Sequence, residues 1–509
     1  MMNPIETVVK KIGPVYLKTR AKSMTSSREE LTLRQEENFQ KLKSNLKGTI
    51  IYKDLGLGFI DSYNDLIDNV TTKSYDDYIK YVGPIAEGKT GVLFNDPIQY
   101  MGLSSGTSGK DSKRIPYNDR MLKFFGDGQK RVASQLSLLE PEINFMEAKR
   151  LTFGSDPLVY TEGQIKYGYI SGILGSRTPN FFKKNTFPSE KILNMTNWDE
   201  KINALIDESI KENIQIASGI PTYLISIFEA VLQKTGKSTI NQIWPNLKVF
   251  IYAATPIKQY QERLDELVGH PLNYYGLYAA TEGILGIPAQ KYDGRSQQYL
   301  LNPDLLYSFS PVENPKISLD ISNVKLNTPY YLNISSENGF IQYSMKDVIQ
   351  FVDDRKQMTF EFVGRKSTGM NLGAEKTSDD QILQTFLELK NQMNIDFKHF
   401  FLSPRLSEGK NSYLWTLFSP TQNVDIMKAQ EIAELTMCSA NPDYSDCREA
   451  QVIGPAKVQI LSLEGLENYF KSNRSRGQFK MKTTFETERD FNQFIQGQFS
   501  QSNSTEALS

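Results

Sequence analysis

The segment 102–116, Gly-Leu-Ser-Ser-Gly-Thr-Ser-Gly-Lys-Asp-Ser-Lys-Arg-Ile-Pro, is the most informative stretch of the chain. Small residues around Gly106 let backbone N–H groups point into one concavity. The hydroxyls of Ser104, Ser105, Thr107 and Ser108 add donors, and Lys110 and Lys113 bring compensating charge; a polyphosphate needs this combination. It is not a Walker A loop, because Ser104 stands where that pattern requires its first glycine and Asp111 follows Lys110. A flexible surface loop can have the same composition. Two carboxylates stand in comparable places. Thr281-Glu282 follows a buried strand, and a carboxylate beside a triphosphate is repelled unless a cation lies between them. Glu282 is therefore the candidate Mg2+ ligand, against the plainer reading of a helix-start charge. Asp347 ends a β-rich stretch, where a carboxylate can accept from both hydroxyls of a ribose; an ordinary turn aspartate reads the same way. Tyr278 is suited to stacking on or flanking an adenine.

The elements that must position these groups are legible in the middle of the chain. Ile214-Gln-Ile-Ala-Ser runs into Gly219 and Pro221, and an apolar-periodic helix follows, ending at Gly236. Leu247 to Ala254 reads as a short buried strand. Pro256 opens a helix with Ile257, Tyr260, Leu264 and Leu267 on one face, and Gly269 and Pro271 stop it. Leu272 to Tyr278 is the next strand. This alternation predicts an α/β unit on a parallel sheet, with ligands at the carboxyl ends of its strands. Ala254, Tyr278 and Thr281 therefore join the candidate nucleotide-binding residues. Further upstream, Leu31 to Leu46 has a helical pattern with apolar positions Leu31, Phe39, Leu42 and Leu46.

From about residue 300 to 363 the pattern turns to strands: 330–335, 339–343, 348–352 and 358–363. Beyond the turn-rich Gly364-Arg-Lys-Ser-Thr-Gly lie about 140 residues with their own alternation, strands at 397–402, 413–418 and 457–463 and a helix at 424–437. The expected fold is α/β, with a large N-terminal domain (1–370) of mixed and parallel sheets with flanking helices, and a smaller α+β C-terminal domain (371–509).

Composition removes several function classes. Lys plus Arg (58) against Asp plus Glu (59) leaves a net charge of −1, against the basic excess of nucleic-acid binders. No apolar run approaches the ~18 to 20 residues of a membrane-spanning helix, and the N-terminus lacks the pattern of a secretory signal. With two cysteines and two histidines in 509 residues, a disulfide scaffold and a Cys/His zinc site of the usual spacing are both excluded. A Ser-His-Asp triad would need His270 or His399. The first sits in Gly-His-Pro at a helix exit and the second in an aromatic strand-like run, so both read as structural. Lys, Glu, Asp, Ser and Thr are left to do the chemistry, in a cytoplasmic chain that is a monomer or weak oligomer, without nucleic-acid or membrane partners.

Ser104-Ser-Gly-Thr-Ser-Gly with Lys113 resembles the phosphate loop of the acyl-acid amido synthetases, the auxin-responsive promoter family. That family sits within the acyl-adenylate-forming superfamily that includes firefly luciferase and acyl-CoA ligases. Thr71-Thr-Lys-Ser-Tyr-Asp-Asp-Tyr-Ile is similar to the family's lead-in. Tyr278-Ala-Ala-Thr-Glu-Gly resembles its second motif, Tyr-x-x-Ser/Thr-Glu, and Tyr343-Ser-Met-Lys-Asp its third, Tyr-Arg-x-Gly-Asp. Gly477-Gln-Phe-Lys resembles its closing element. These elements occur in the family's order and span most of the chain.

The resemblance implies a large adenylating domain, ATP and Mg2+ as cofactors, and an acyl-adenylate made from a small carboxylic acid. Transfer to an amine, an amino acid in the family, would follow. It assigns ribose binding to Asp347. Lys480 would be the mobile-domain lysine that neutralises charge on the α-phosphorus. Lys376 matches a lysine at the mouth of the site, though a hinge-surface lysine reads the same way. The helix after the phosphate loop usually lines the acyl pocket, and here it offers Phe125, Gln129 and Arg131. The third motif departs from the family at Ser344 (for Arg) and Lys346 (for Gly), and Met481-Lys482 replaces Pro-Arg after Lys480. An acyl-CoA synthetase sharing the adenylate step, a non-catalytic nucleotide-binding protein and a scaffolding protein are the alternatives.

Overall fold

The computed structural model describes residues 13–21, 27–103, 113–152, 160–178, 180–195, 197–254, 256–258, 260–365, 370, 372, 375, 377–407, 410–449, 453–473, 483–485 and 487–499. Two compact units divide the chain, one running to Phe362 and the other starting at Val363, against the expected junction at 370/371.

The predicted strand–helix alternation lies at the heart of the first unit. Ile214–Gly219, Val249–Tyr252 and Asn273–Gly276 are strands, with helices Pro221–Thr235 and Gln261–Val268 between them. Pro221 occupies the first helical turn, where an N–H would lack an intrahelical partner anyway. Gly236 (φ 66°) and Gly269 (φ 87°) end the two helices in the left-handed conformation that a Cβ disfavours. The three strands run parallel and, with Lys149–Thr152 and Thr186–Phe187, make a five-stranded parallel sheet. Helix Arg28–Leu46 buries all four predicted apolar residues and also Gln35, whose amide donates to the Leu305 carbonyl and accepts from the Tyr307 N–H.

Strands Tyr100–Leu103 and Arg114–Tyr117 flank the segment 104–112 and pair antiparallel, Leu103 opposite Arg114. Both stems of the candidate phosphate loop are thereby fixed. A seven-stranded sheet follows, in the order Tyr278–Ala280, Gly283–Pro288, Gln298–Leu301, Thr359–Arg365, Tyr343–Asp353, Pro329–Ser335, Leu306–Pro311. The strand expected at 339–343 does not form. Gly339 (φ 78°) and Gln342 (φ 53°) interrupt extended backbone, and the buried Tyr78 hydroxyl takes the place of a strand neighbour, donating to the Ile341 carbonyl (2.5 Å) and accepting from its N–H (2.7 Å). Tyr343 instead begins one long strand to Asp353, which absorbs the run expected at 348–352.

In the second unit, His399–Ser407 and Lys410–Ser419 pair antiparallel, Lys457–Ser462 runs parallel to the latter, and helices Asp379–Met393 and Ile426–Ala440 pack their apolar faces into its core. His399 is half-buried, its ring packed against Phe400, Phe401 and Phe418. His270, in the first unit, touches only the neighbouring Pro271 carbonyl among the hydrogen bonds described.

Candidate active site

Residue 73 forms an isolated parallel bridge with Tyr343, at the start of the long strand, and Ser74 caps the helix Tyr75–Ala86 in a reciprocal capping box with Asp77. That helix presents Tyr75 to the strand leaving the phosphate loop: its hydroxyl accepts from the Arg114 N–H (2.8 Å) and donates to the Arg114 carbonyl (3.2 Å). One residue earlier, the Lys113 ammonium lies 5.6 Å from the Tyr75 ring centre and 5.5 Å from that of Tyr343, and donates to the Tyr343 hydroxyl at 2.8 Å. Tyr343 in turn donates to Glu282 Oε1 at 3.0 Å. Glu282 is buried, at 5% exposure.

Tyr117, also on the strand after the loop, donates to the Thr281 carbonyl at 2.6 Å. It can do so because Gly102 on the paired strand has no side chain; a Cβ there would lie 2.3 Å from the Tyr117 hydroxyl. Burial, and after it the charge of Glu282, holds the Tyr117 phenol well above its usual range, so it stays a proton donor. Burial likewise raises the Tyr75 phenol, an effect opposed by Arg114 and reinforced by Glu282.

The second carboxylate is held in the reciprocal way. Tyr278, four residues before Glu282, donates to Asp347 Oδ2 at 2.6 Å, while Tyr343, four residues before Asp347, holds Glu282. Strands Tyr278–Ala280 and Tyr343–Asp353 are first and fifth in their sheet. Four flat spacings of about 4.8 Å would keep them roughly 19 Å apart, beyond the reach of a tyrosine and an aspartate, so the sheet must curl to bring them together. Tyr278, Tyr299 and Phe360 fill the curl, with ring centres 5.5–6.1 Å apart. Gly286 makes room for them: a Cβ there would sit 3.0 Å from both Phe360 and Tyr278.

The long strand is bulged just before Asp347. Tyr331 and Asn333, two residues apart, pair with Val348 and Ser344, four apart, and the two extra residues include Lys346 at φ 59°. A bulge re-aims the side chain beside it, here Asp347. The position where the resembled motif has glycine is thus a left-handed one, and this chain fills it with lysine. Ala254, past the end of its parallel strand, is another non-glycine residue at positive φ (75°) and is exposed.

The remaining sequence candidates are placed less centrally or not described. Phe125 is buried edge-on against Tyr117, with ring centres 5.8 Å apart, and Gln129 is exposed. Arg131 makes a bidentate pair with Asp304 at 2.7 Å through both Nε and Nη2. Its fork is occupied by a protein carboxylate, and the acyl-pocket reading of Arg131 gives way to a structural one. Ser104, Ser105, Gly106, Thr107, Ser108, Lys376 and Lys480 lie outside the described residues. Sequence reasoning gave no role to Tyr117 or Tyr343; the signal available was a tyrosine at the edge of a motif, since a buried phenol must find a partner. No cluster of three or more His, Cys, Asp or Glu occurs among the described residues. With Glu282 as its carboxylate, the site fits Mg2+ delivered with phosphates, which needs only one or two protein carboxylates, rather than an all-protein metal cage.

The GH3 family N-terminal domain matches residues 20–194, and the GH3 family central domain residues 299–365. The 4-substituted benzoates-glutamate ligase GH3.12 of Arabidopsis thaliana is 22% identical, over 87% of this chain and 92% of the relative. The jasmonoyl–L-amino acid synthetase GH3.5 of Oryza sativa subsp. japonica is 20% identical, over 80% and 84%. Among solved structures, the AtGH3.15 acyl acid amido synthetase in complex with 2,4-DB superposes with a TM-score of 0.77 at 16% identity, covering 95% of this chain and 96% of that one. A 2-hydroxyisobutyryl-CoA ligase in the postadenylation state gives 0.60 at 12% identity, over 93% and 92%.

Proposed function

We propose, from the match of residues 20–194 and 299–365 to the GH3 family N-terminal and central domains, that this chain is an ATP-dependent ligase joining a carboxylic acid to an amine, an amino acid by analogy with its relatives. The carboxylate oxygen attacks the α-phosphorus of ATP, the bond from that phosphorus to the β-phosphate oxygen breaks, and pyrophosphate leaves. The amine nitrogen then attacks the acyl carbonyl of the mixed anhydride, AMP departs with the bonding electrons, and the ammonium proton is lost to solvent. Neither step needs a covalent enzyme intermediate, which suits a chain with two histidines and two cysteines.

The observation that carries this reading is the convergence of Lys113, Glu282 and Asp347 through two phenols at one end of a curled sheet. Asp347 would take the ribose hydroxyls, Tyr278 would flank the base, and Lys113 would face the phosphates. A magnesium ion held by Glu282 would neutralise the triphosphate. Lys480 is proposed, on the resemblance alone, to stabilise charge at the α-phosphorus, and a reducing cytosol is the proposed compartment. The relatives' amino acid acceptors favour an amide product over a thioester.

The test is pyrophosphate–ATP exchange across a panel of carboxylic acids, then product analysis with amino acids and with coenzyme A offered in parallel. Acid-dependent exchange with amide product is expected. Thioester product would move the protein to the CoA-ligase class, and nucleotide binding without exchange to any acid would make it a sensor.

A further inference from the structure

The Lys113–Tyr343–Glu282 chain has a consequence of its own, which rests on the proposed adenylate-forming reading. A buried carboxylate is costly unless its charge is compensated. Around Glu282 the compensation is relayed: the Lys113 ammonium donates to the Tyr343 hydroxyl, and that hydroxyl donates to Glu282. Each end of the relay is pinned. Lys113 sits between the Tyr75 and Tyr343 rings, the backbone of Arg114 beside it is gripped twice by the Tyr75 hydroxyl, and the Thr281 carbonyl preceding Glu282 is held by Tyr117. Tyr343 itself is fully buried against Phe340 and Tyr78, which fixes where its hydroxyl points.

We propose that Tyr343 is a positioning residue for the metal ligand: its hydroxyl, backed by Lys113, holds the Glu282 carboxylate aimed before the cation arrives. The relay thereby links the stem of the phosphate loop to the metal ligand. A divalent cation accompanying the nucleotide meets a carboxylate already oriented, and the cost of ordering it is met in advance.

The measurement separates metal-dependent from metal-free nucleotide affinity. AMP binding in EDTA is titrated calorimetrically, and Mn2+ binding to the protein with a non-hydrolysable ATP analogue is followed by electron paramagnetic resonance. In Tyr343→Phe the ring packing is kept. The Mn2+ affinity of that complex is expected to fall fivefold or more, with AMP affinity in EDTA within twofold of wild type. Glu282→Gln should lose the metal-dependent gain, and the double variant should fall no further, because the phenol acts through the carboxylate. Tyr78→Phe removes a phenol from the same aromatic cluster without touching Glu282 and should leave the metal-dependent gain intact.

Unchanged Mn2+ affinity in Tyr343→Phe overturns the inference while leaving the proposed reaction standing. Equal losses with and without metal, or the same loss in Tyr78→Phe, reduce Tyr343 to packing and also overturn it. A wild-type protein that binds no metal–nucleotide complex removes the proposed reaction and this inference together.

Discussion

Replacing Asp347 by Asn keeps the side-chain volume and leaves a carbonyl oxygen for the Tyr278 hydroxyl, which lies 2.6 Å from the native carboxylate. What is lost is the charge and one of two acceptors, since an amide NH2 cannot accept a hydrogen bond. If the carboxylate receives both ribose hydroxyls, one charged hydrogen bond disappears and the other becomes neutral. At 1% exposure, water neither screens nor replaces them. A hydrogen bond to a charged group contributes ~1.5–3 kcal/mol and a neutral one ~0.5–1.5 kcal/mol. The net loss should therefore be about 2.5–4.5 kcal/mol, a factor of roughly 70 to 2,000 in affinity. ATP and AMP share the ribose, so both must weaken by the same factor. Asp347→Ala should weaken both at least as much as the Asn change, because it removes both acceptors from the ribose and also takes this one from Tyr278. Calorimetric titration of each variant with AMP and with a magnesium-bound ATP analogue, alongside melting curves, measures all of this. Unchanged AMP affinity would refute the ribose assignment; loss confined to ATP would put the carboxylate at the phosphates instead.

Burial holds His399 neutral, its pKa pushed down to about 3. The unfolded chain takes up that proton below about pH 6.5, while the native protein does so only near 3. Stability from this group is therefore complete above about 6.5 and declines as pH falls toward 3, by up to ~1.4 kcal/mol per unit. The difference in urea midpoint between wild type and His399→Phe should narrow or reverse over that window, and parallel curves would contradict it. Lys346→Gly relieves a left-handed residue at φ 59°; against glycine's extra unfolded-state entropy, a net gain of ~0.5–1 kcal/mol is expected in urea unfolding, and a loss would argue that the lysine side chain is itself stabilising. Lys480→Ala should slow acid-dependent pyrophosphate exchange at least tenfold while ATP affinity changes little, and an unchanged exchange rate would remove it from the reaction.

The sequence by itself determined everything that near neighbours decide. Gly236 and Gly269 marked helix ends because only a residue without a Cβ takes a left-handed cap freely, and the burial of Leu31, Phe39, Leu42 and Leu46 was legible because helical period alone sets which side chains share a face. The parallel order of the strands from 214 to 276 followed from alternation. Glu282 stood out as a carboxylate just after a buried strand, whereas Asp347 was singled out by the resemblance of its motif.

Tertiary structure decided the rest. The strand expected at 339–343 gave way to a turn because a phenol from residue 78, far away in sequence, satisfies the Ile341 backbone. Arg131, expected from the resemblance in the acyl pocket, is paired with Asp304, which lies 173 residues further along. Most of all, the exchange by which Tyr278 holds Asp347 and Tyr343 holds Glu282 depends on the curl of a seven-stranded sheet. That curl arises from twist accumulated over many strands and from aromatic rings packed inside it. Local sequence patterns register neither, because both are sums over residues that meet only after the chain has folded.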